Sequence, residues 1–149
     1  MEQPLRRLFQ DADSAGYKLT VASGYRTTDK QQSILDERVA GYTAQGMSEQ
    51  DARAEAANWV AAPGYSEHQL GLAVDLNDTS DGPTDGAAYQ WLSQNAHRYG
   101  FILRYPADKT ELTGTAYEPW HFRYVGEEDA AKIFEQGVCL EEYLAAQDQ

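Results

Sequence analysis

Apolar residues alternate with polar ones over short stretches of this chain and recur every three or four residues over longer ones, and the two periods predict different elements. Leu5, Leu8, Phe9 and Ala12 share one face of a first helix with Pro4 near its first turn and an end near Gly16. Tyr17 to Ala22 alternates as a half-buried strand that Ser23-Gly24 closes. Thr28 to Gln31 matches a capping box, so a second helix is expected from there through Ile34, Leu35 and Val39, broken by the segment Gly41 to Gly46. Ser48 opens a third helix carrying Ala52, Ala56, Trp59 and Val60, which stops before Pro63-Gly64.

The second half of the chain reads in the same way. Leu72, Val74 and Leu76 fall on one face of a strand and Ala73 and Asp75 on the other, so Asp75 points away from the core side. A surface turn spans Asn77 to Asp85, before a helix with Tyr89, Leu92, Ala96 and Tyr99 that Gly100 ends. Phe101 to Tyr105 is a further strand, as is Trp120 to Val125, where Trp120, Phe122 and Tyr124 oppose His121, Arg123 and Val125. A last helix holds Ala130, Ile133 and Phe134. Helices and strands mix without a regular βαβ rhythm, which predicts an α+β fold: helices packed on a small, mainly antiparallel sheet.

At 149 residues the chain has the length of one domain, 1–149. Its 24 Asp and Glu against 12 Lys and Arg give a net charge of −12, and no basic stretch is present to displace counterions from phosphates, which argues against a nucleic-acid partner. A single cysteine, Cys139, excludes an internal disulfide and, between Val138 and Leu140, is expected to be a packed thiol. No apolar stretch reaches the length of a membrane span, and no charged-then-apolar export signal precedes the first helix. The expectation is a monomeric catalytic domain from a longer exported protein, working outside the cytoplasm or at the cell surface, with a cytoplasmic location left open.

The candidate chemistry sits in two segments. Ser66 to Asp75 and Glu118 to His121 supply two histidines, one aspartate and a spare glutamate. Two neutral imidazoles and one carboxylate can hold Zn²⁺ with a fourth position open for water, and they leave the ion positive enough to acidify that water. His68 lies in a loop, Gly71 lets the backbone turn, and Asp75 follows on a strand, so one segment offers two ligands; His121 supplies the third from another strand. Glu118, three residues before His121 and stiffened by Pro119, is left for proton transfer. The same ligand types form the facial triad of non-haem iron oxygenases, but there the His and Asp sit two apart on a larger β-barrel and Glu118 would have no task. A zinc-holding module without catalysis is a third reading, against which Glu118 itself argues. His97, near a helix C-terminus, is explained by packing and the helix dipole. Asp78, Asp81 and Asp85 lack the spacing of a calcium loop and are expected to be solvated.

Ser66-x-His68-x-x-Gly71-x-Ala73-x-Asp75 with Glu118-x-Trp120-His121 resembles the zinc D-Ala-D-Ala carboxypeptidases and dipeptidases of the VanY and VanX type, peptidase family M15. The resemblance extends to Ser23-Gly24-Tyr25-Arg26, Pro63 to His68, Asn95 to Phe101 and Tyr117 to His121, in VanY order. It implies zinc on His68, Asp75 and His121 in a cleft on the sheet, Glu118 as general base and acid, and peptidoglycan stem peptides or their precursors as substrate. Arg26 joins Glu118 as a catalytic candidate, through a developing oxyanion or the substrate's terminal carboxylate. Ser66, Gln31 and Tyr117 are the candidates for substrate contacts. Cleavage of the D-Ala-D-Ala bond is the favoured expectation; an L,D-carboxypeptidase acting on tetrapeptide stems is the alternative.

Overall fold

The structure, a computed structural model, describes residues 1–77 and 86–147. Four short strands, β1 (Val21–Ser23), β2 (Ala73–Leu76), β3 (Phe101–Leu103) and β4 (His121–Tyr124), form one antiparallel sheet in the order β1-β2-β4-β3. Helices α1 (Glu2–Ser14), α2 (Thr28–Ala44), α3 (Glu49–Ala57), α4 (Gly86–Asn95), the single turn α5 (Thr110–Thr113), α6 (Glu127–Gln136) and α7 (Leu140–Gln147) surround it. The expected α+β architecture is therefore present. No helix among the described residues is long and apolar enough to cross a membrane.

Strand alternation sorts the sheet into a core face and a site face. Val74 and Leu76 of β2 and Phe122 of β4 join Leu8, Tyr89, Leu92, Phe101 and Trp120 in the main core, where α1 and α4 cover the sheet. Asp75 and His121, between those core residues in sequence, face the other way, and the β2–β4 register sets them directly opposite each other. Directly paired residues on one face bring their Cβ atoms within about 5.5 Å, so two sequence-distant side chains meet without help from any loop. A second cluster of Ile102, Ala130, Ile133 and Tyr143 seats α6 and α7 at the β3 edge, and a third, Val39, Ala52 and Ala56, joins α2 to α3. Cys139 is buried, as its neighbours predict.

Several boundaries differ from the sequence reading. The strand expected over Tyr17–Ala22 is confined to Val21–Ser23, because β2 offers partners for that length alone; Thr20 instead exchanges bonds with the backbone and side chain of Asn77. Helix α2 runs through Gly41 to Ala44, and its cap is Thr27, whose hydroxyl accepts from the Lys30 amide at 3.2 Å, rather than Thr28. Burial of Val39 against α3 offsets the roughly 1 kcal/mol that an interior glycine costs. Ser48 caps α3 as expected, accepting from the Asp51 amide. Phe101–Tyr105 is shortened to Phe101–Leu103, and α6 is followed by a further helix, α7, not foreseen. The calcium question at Asp78, Asp81 and Asp85 lies outside the described residues.

Gly100 ends the 3-10 turn Ala96–Tyr99 with φ +85°, and a Cβ there would stand 2.7 Å from Tyr124 Cε2 and 2.9 Å from the Gly126 carbonyl carbon. Left-handed strain and overpacking then act together, so Gly100→Ala is expected to cost about 2 to 5 kcal/mol in urea unfolding. A loss under about 1 kcal/mol would mean that the turn can relax.

Candidate metal and catalytic site

The 3-10 turn Glu67–Leu70 places His68 beside the sheet, and Gly71 at φ 68° turns the chain into β2. His68, Asp75 and His121 are all buried, and one ligand atom from each lies within 4.8 Å of the others. His68 Nε2 and His121 Nδ1 each stand 3.3 Å from Asp75 Oδ1.

Each of the three side chains is anchored by its second polar atom. His68 Nδ1–H donates to the Gly24 carbonyl at 2.8 Å, which leaves the Nε2 lone pair facing the cluster. Asp75 Oδ2 accepts from Arg26 Nη2 at 2.5 Å, leaving Oδ1 inward. His121 Nε2 faces Glu67 Oε2 at 3.4 Å, leaving Nδ1 inward. His68 Nε2 and Asp75 Oδ1 are buried and make no hydrogen bond. A buried imidazole nitrogen and a buried carboxylate oxygen without partners are costly unless something else occupies the point they share. Two nitrogens and one carboxylate oxygen, with outer partners that fix tautomer and orientation, are the donor set of an open zinc site, and the residues fit that ion.

Electrostatics agree with the geometry. Burial alone would raise the Asp75 carboxyl, yet the adjacent His121 and His68 imidazoles hold it well below the ordinary range. Glu67 is likewise pushed up by burial and pulled down harder by His121 and Arg104, to about 2. His121 is raised well above its ordinary value: burial opposes its charge, but Asp75, Glu118 and Glu67 surround it. The pocket is built to hold positive charge. Glu118 differs from the other two carboxylates, since burial dominates and raises it. Its Oε2 lies 3.4 Å from His121 Nδ1, beside the cluster, and an elevated carboxyl suits a group that takes and returns a proton.

A cleft of about 350 Å³ opens over this cluster, and Arg26, Gln31, Ser66, Glu118 and Trp120 line it with the three metal-site residues. Arg26 donates through Nε to Ser23 Oγ at 2.8 Å and through Nη2 to Asp75, with a longer contact from Nη1 to Gln31 Oε1 at 3.4 Å. A guanidinium has five N–H groups, so others remain for a substrate oxygen. Gln31 is 1% exposed and donates to the Ala61 carbonyl at 2.8 Å, so it braces Arg26 and has no part in a helix cap. Ser66 is buried at the cleft wall.

Tyr117 is the candidate that the structure does not bring in. It is 45% exposed and does not line the cleft, whereas its neighbour Glu118 does. Successive side chains of an extended segment point to opposite sides, so directing Glu118 inward turns Tyr117 outward. His97 stacks on Phe134 with ring centroids 3.7 Å apart, away from the cluster, as its packing explanation anticipates. The sequence reading assigned no role to Glu67, although it lies within the quoted segment next to His68.

The family model described as VanY: D-alanyl-D-alanine carboxypeptidase matches residues 1–127, which contain every residue of this cluster. The chain belongs to the VanY family. A D-alanyl-D-alanine carboxypeptidase of Enterococcus faecalis (strain ATCC 700802 / V583) is 59% identical over 140 residues, covering 94% of this chain and 52% of that protein. The putative carboxypeptidase YodJ of Bacillus subtilis (strain 168) is 41% identical over 146 residues, covering 94% of this chain and 50% of that one. The chain thus spans about half the length of these two relatives. Among solved structures, VanYB in complex with D-alanine-D-alanine superposes with a TM-score of 0.91 at 57% identity, over 97% of this chain and 80% of that one. A glutamate-to-alanine mutant of the vancomycin-resistance D,D-pentapeptidase VanY, in complex with Zn(II), gives 0.90 at the same identity, over 96% and 80%. The L,D-carboxypeptidase LdcB gives 0.81 at 38% identity, over 96% and 65%.

Proposed function

We propose that this chain is the catalytic unit of a zinc D,D-carboxypeptidase that removes the terminal D-alanine from peptidoglycan stem peptides or their precursors, and that its parent protein works at the cell wall. The observation that carries the reading is the convergence of three anchored ligand atoms on one point beside a buried Glu118 whose carboxyl burial raises. Identity of 57% to the VanY D,D-pentapeptidase structures against 38% to the L,D-carboxypeptidase LdcB supports the D-Ala-D-Ala bond over the L,D alternative. A four-stranded antiparallel sheet flanked by helices also disfavours the oxygenase reading, which calls for a larger β-barrel.

His68, Asp75 and His121 are the proposed zinc ligands. Zinc bound there would acidify a water and polarise the scissile carbonyl. Glu118 takes the proton of the attacking water as the hydroxyl oxygen bonds to the carbonyl carbon. Arg26, held in line by Ser23, Asp75 and Gln31, offers its remaining N–H groups to the carbonyl oxygen as that atom gains charge. When the C–N bond breaks, Glu118 returns its proton to the leaving amine, so one carboxylate serves both halves of the reaction and no covalent enzyme intermediate is needed. Ser66 and the cleft face of Arg26, both lining the cleft, would read the free carboxylate of the terminal residue. With a net charge of −12, long-range steering does not favour an anionic peptide, and recognition rests on these local groups.

Stem pentapeptide with a free terminal carboxylate should therefore be cut faster than the same peptide amidated at that end. Loss of one charge-assisted contact corresponds to about tenfold to a hundredfold in kcat/KM. Equal cleavage of the two would indicate an endopeptidase. In the same assay a tetrapeptide stem should stay intact; release of D-alanine from the tetrapeptide alone would assign the L,D activity.

A further inference from the structure

A chain of charged side chains runs from α7 to the metal site. Glu141, in the first turn of α7, takes Arg104 in a two-pronged grip, with Nη1 donating to Oε2 at 3.0 Å and Nη2 to Oε1 at 2.6 Å. Arg104 Nε donates to Glu67 Oε1 at 2.7 Å, and the other oxygen of Glu67 faces His121 Nε2. The Arg104 amide also donates to the His121 carbonyl at 3.1 Å, so backbone and side chain of Arg104 both bear on this histidine. Arg123 Nη1 adds a second cation 3.3 Å from Glu67 Oε1. Arg104 and Glu67 are 10% and 12% exposed, which protects that pair from screening. Helix α7 lies beyond the residues that the VanY family model matches, yet only two residues, Arg104 and Glu67, stand between its Glu141 and His121.

We propose that Glu67 is the positioning residue for His121, and that α7 takes part in shaping the metal site through the Glu141–Arg104 grip. The proposal rests on the reading of His121 as a metal ligand. The physical case is the direction of each donor. A carboxylate oxygen beyond Nε2 selects the Nε2–H tautomer, keeps the Nδ1 lone pair inward and makes the ring more basic toward a metal. Glu67 can do so only if its carboxylate stays in place. Arg104 holds it there through Nε, and the Arg104 fork needs Glu141 at the other end to be fixed. The contacts of this network run to His121, so its effect falls on metal affinity and His121 orientation.

The test is zinc affinity of the whole 149-residue chain, measured by competition with a chromophoric chelator, for wild type, Glu67→Gln, Arg104→Lys, Glu141→Gln and Glu142→Gln. Glu142 sits on the same helix but pairs with Lys109 and accepts from the Cys139 amide, and Arg104 is gripped by Glu141 instead. Glu67→Gln should bind zinc roughly tenfold to a hundredfold more weakly, the range found for groups that orient metal ligands. Arg104→Lys and Glu141→Gln should lose roughly threefold to tenfold, since Glu67 keeps Arg123. Glu142→Gln should match wild type even if it lowers thermal stability, which separates the network from mere packing of α7. In ¹⁵N-edited NMR of the zinc-loaded protein, the His121 Nε2–H resonance should shift in Glu67→Gln and Glu141→Gln and stay in Glu142→Gln. Wild-type affinity and an unmoved resonance in both Glu67→Gln and Glu141→Gln would overturn the proposal. A wild-type chain that binds no zinc would instead overturn the metal reading beneath it.

Discussion

Glu118→Gln should leave zinc bound and the fold intact while turnover falls by about 10² to 10⁴, the span associated with general acid–base catalysis. The substitution keeps the volume of a buried side chain and a carbonyl oxygen to face His121, and removes the group that carries the proton. Because Glu118 acts at both the attack and the departure of the amine, no second residue compensates in either half. KM should change little, since the proposed substrate contacts lie on Arg26 and Ser66. Zinc content by elemental analysis, read beside kcat, gives the check; a zinc-loaded variant with near-normal kcat would assign the proton to another group.

Asp75→Ala should abolish high-affinity zinc binding and activity together. The change removes a ligand oxygen and also strands Arg26, a guanidinium only 15% exposed whose Nη2 lies 2.5 Å from Asp75. His68→Ala and His121→Ala should lose the ion without that second injury, so they should retain more of the folding stability. Wild type is expected to hold about one zinc per chain. Zinc at a hundred times its Kd should stabilise the folded wild type by about 2.7 kcal/mol and leave Asp75→Ala unchanged. Thermal unfolding with and without zinc reads the difference; full zinc occupancy in all three variants would remove the proposed ligand set.

Much of this site is legible in the sequence because strand alternation is a strict period. With Val74 and Leu76 facing the core, Asp75 must face away, and with Trp120 and Phe122 inside, His121 must do the same; the β2–β4 register then sets the two opposite each other. Helix α3 was readable from Ser48, an N-cap with a side chain that bonds the helix start. The failures share a cause, which is that the deciding partner is remote. Gly41 stays helical because Val39 packs on Ala52 and Ala56 of another helix. Adjacent threonines 27 and 28 are equivalent caps in sequence, and only the backbone decides between them. Glu67 gives no local signal, since Arg104 lies 37 positions away and His121 lies 54. Helix α7 carries only a short apolar pattern, with Tyr143 buried and Leu144 exposed, and it is held by Arg104 and Lys109 from outside itself. Tyr117 lies outside the cleft lining for the complementary reason: closeness to Glu118 in sequence implies opposite orientation in an extended segment.

The central claim, that these residues form a zinc carboxypeptidase for a terminal D-alanine, is tested most directly by mass spectrometry of stem pentapeptide incubated with the zinc-loaded chain. The account predicts a product shorter by one alanine together with free D-alanine, no product after the metal is stripped by a chelator, and recovery when zinc is returned. Pentapeptide left whole by the zinc-loaded protein, or cut at an internal bond, would contradict it.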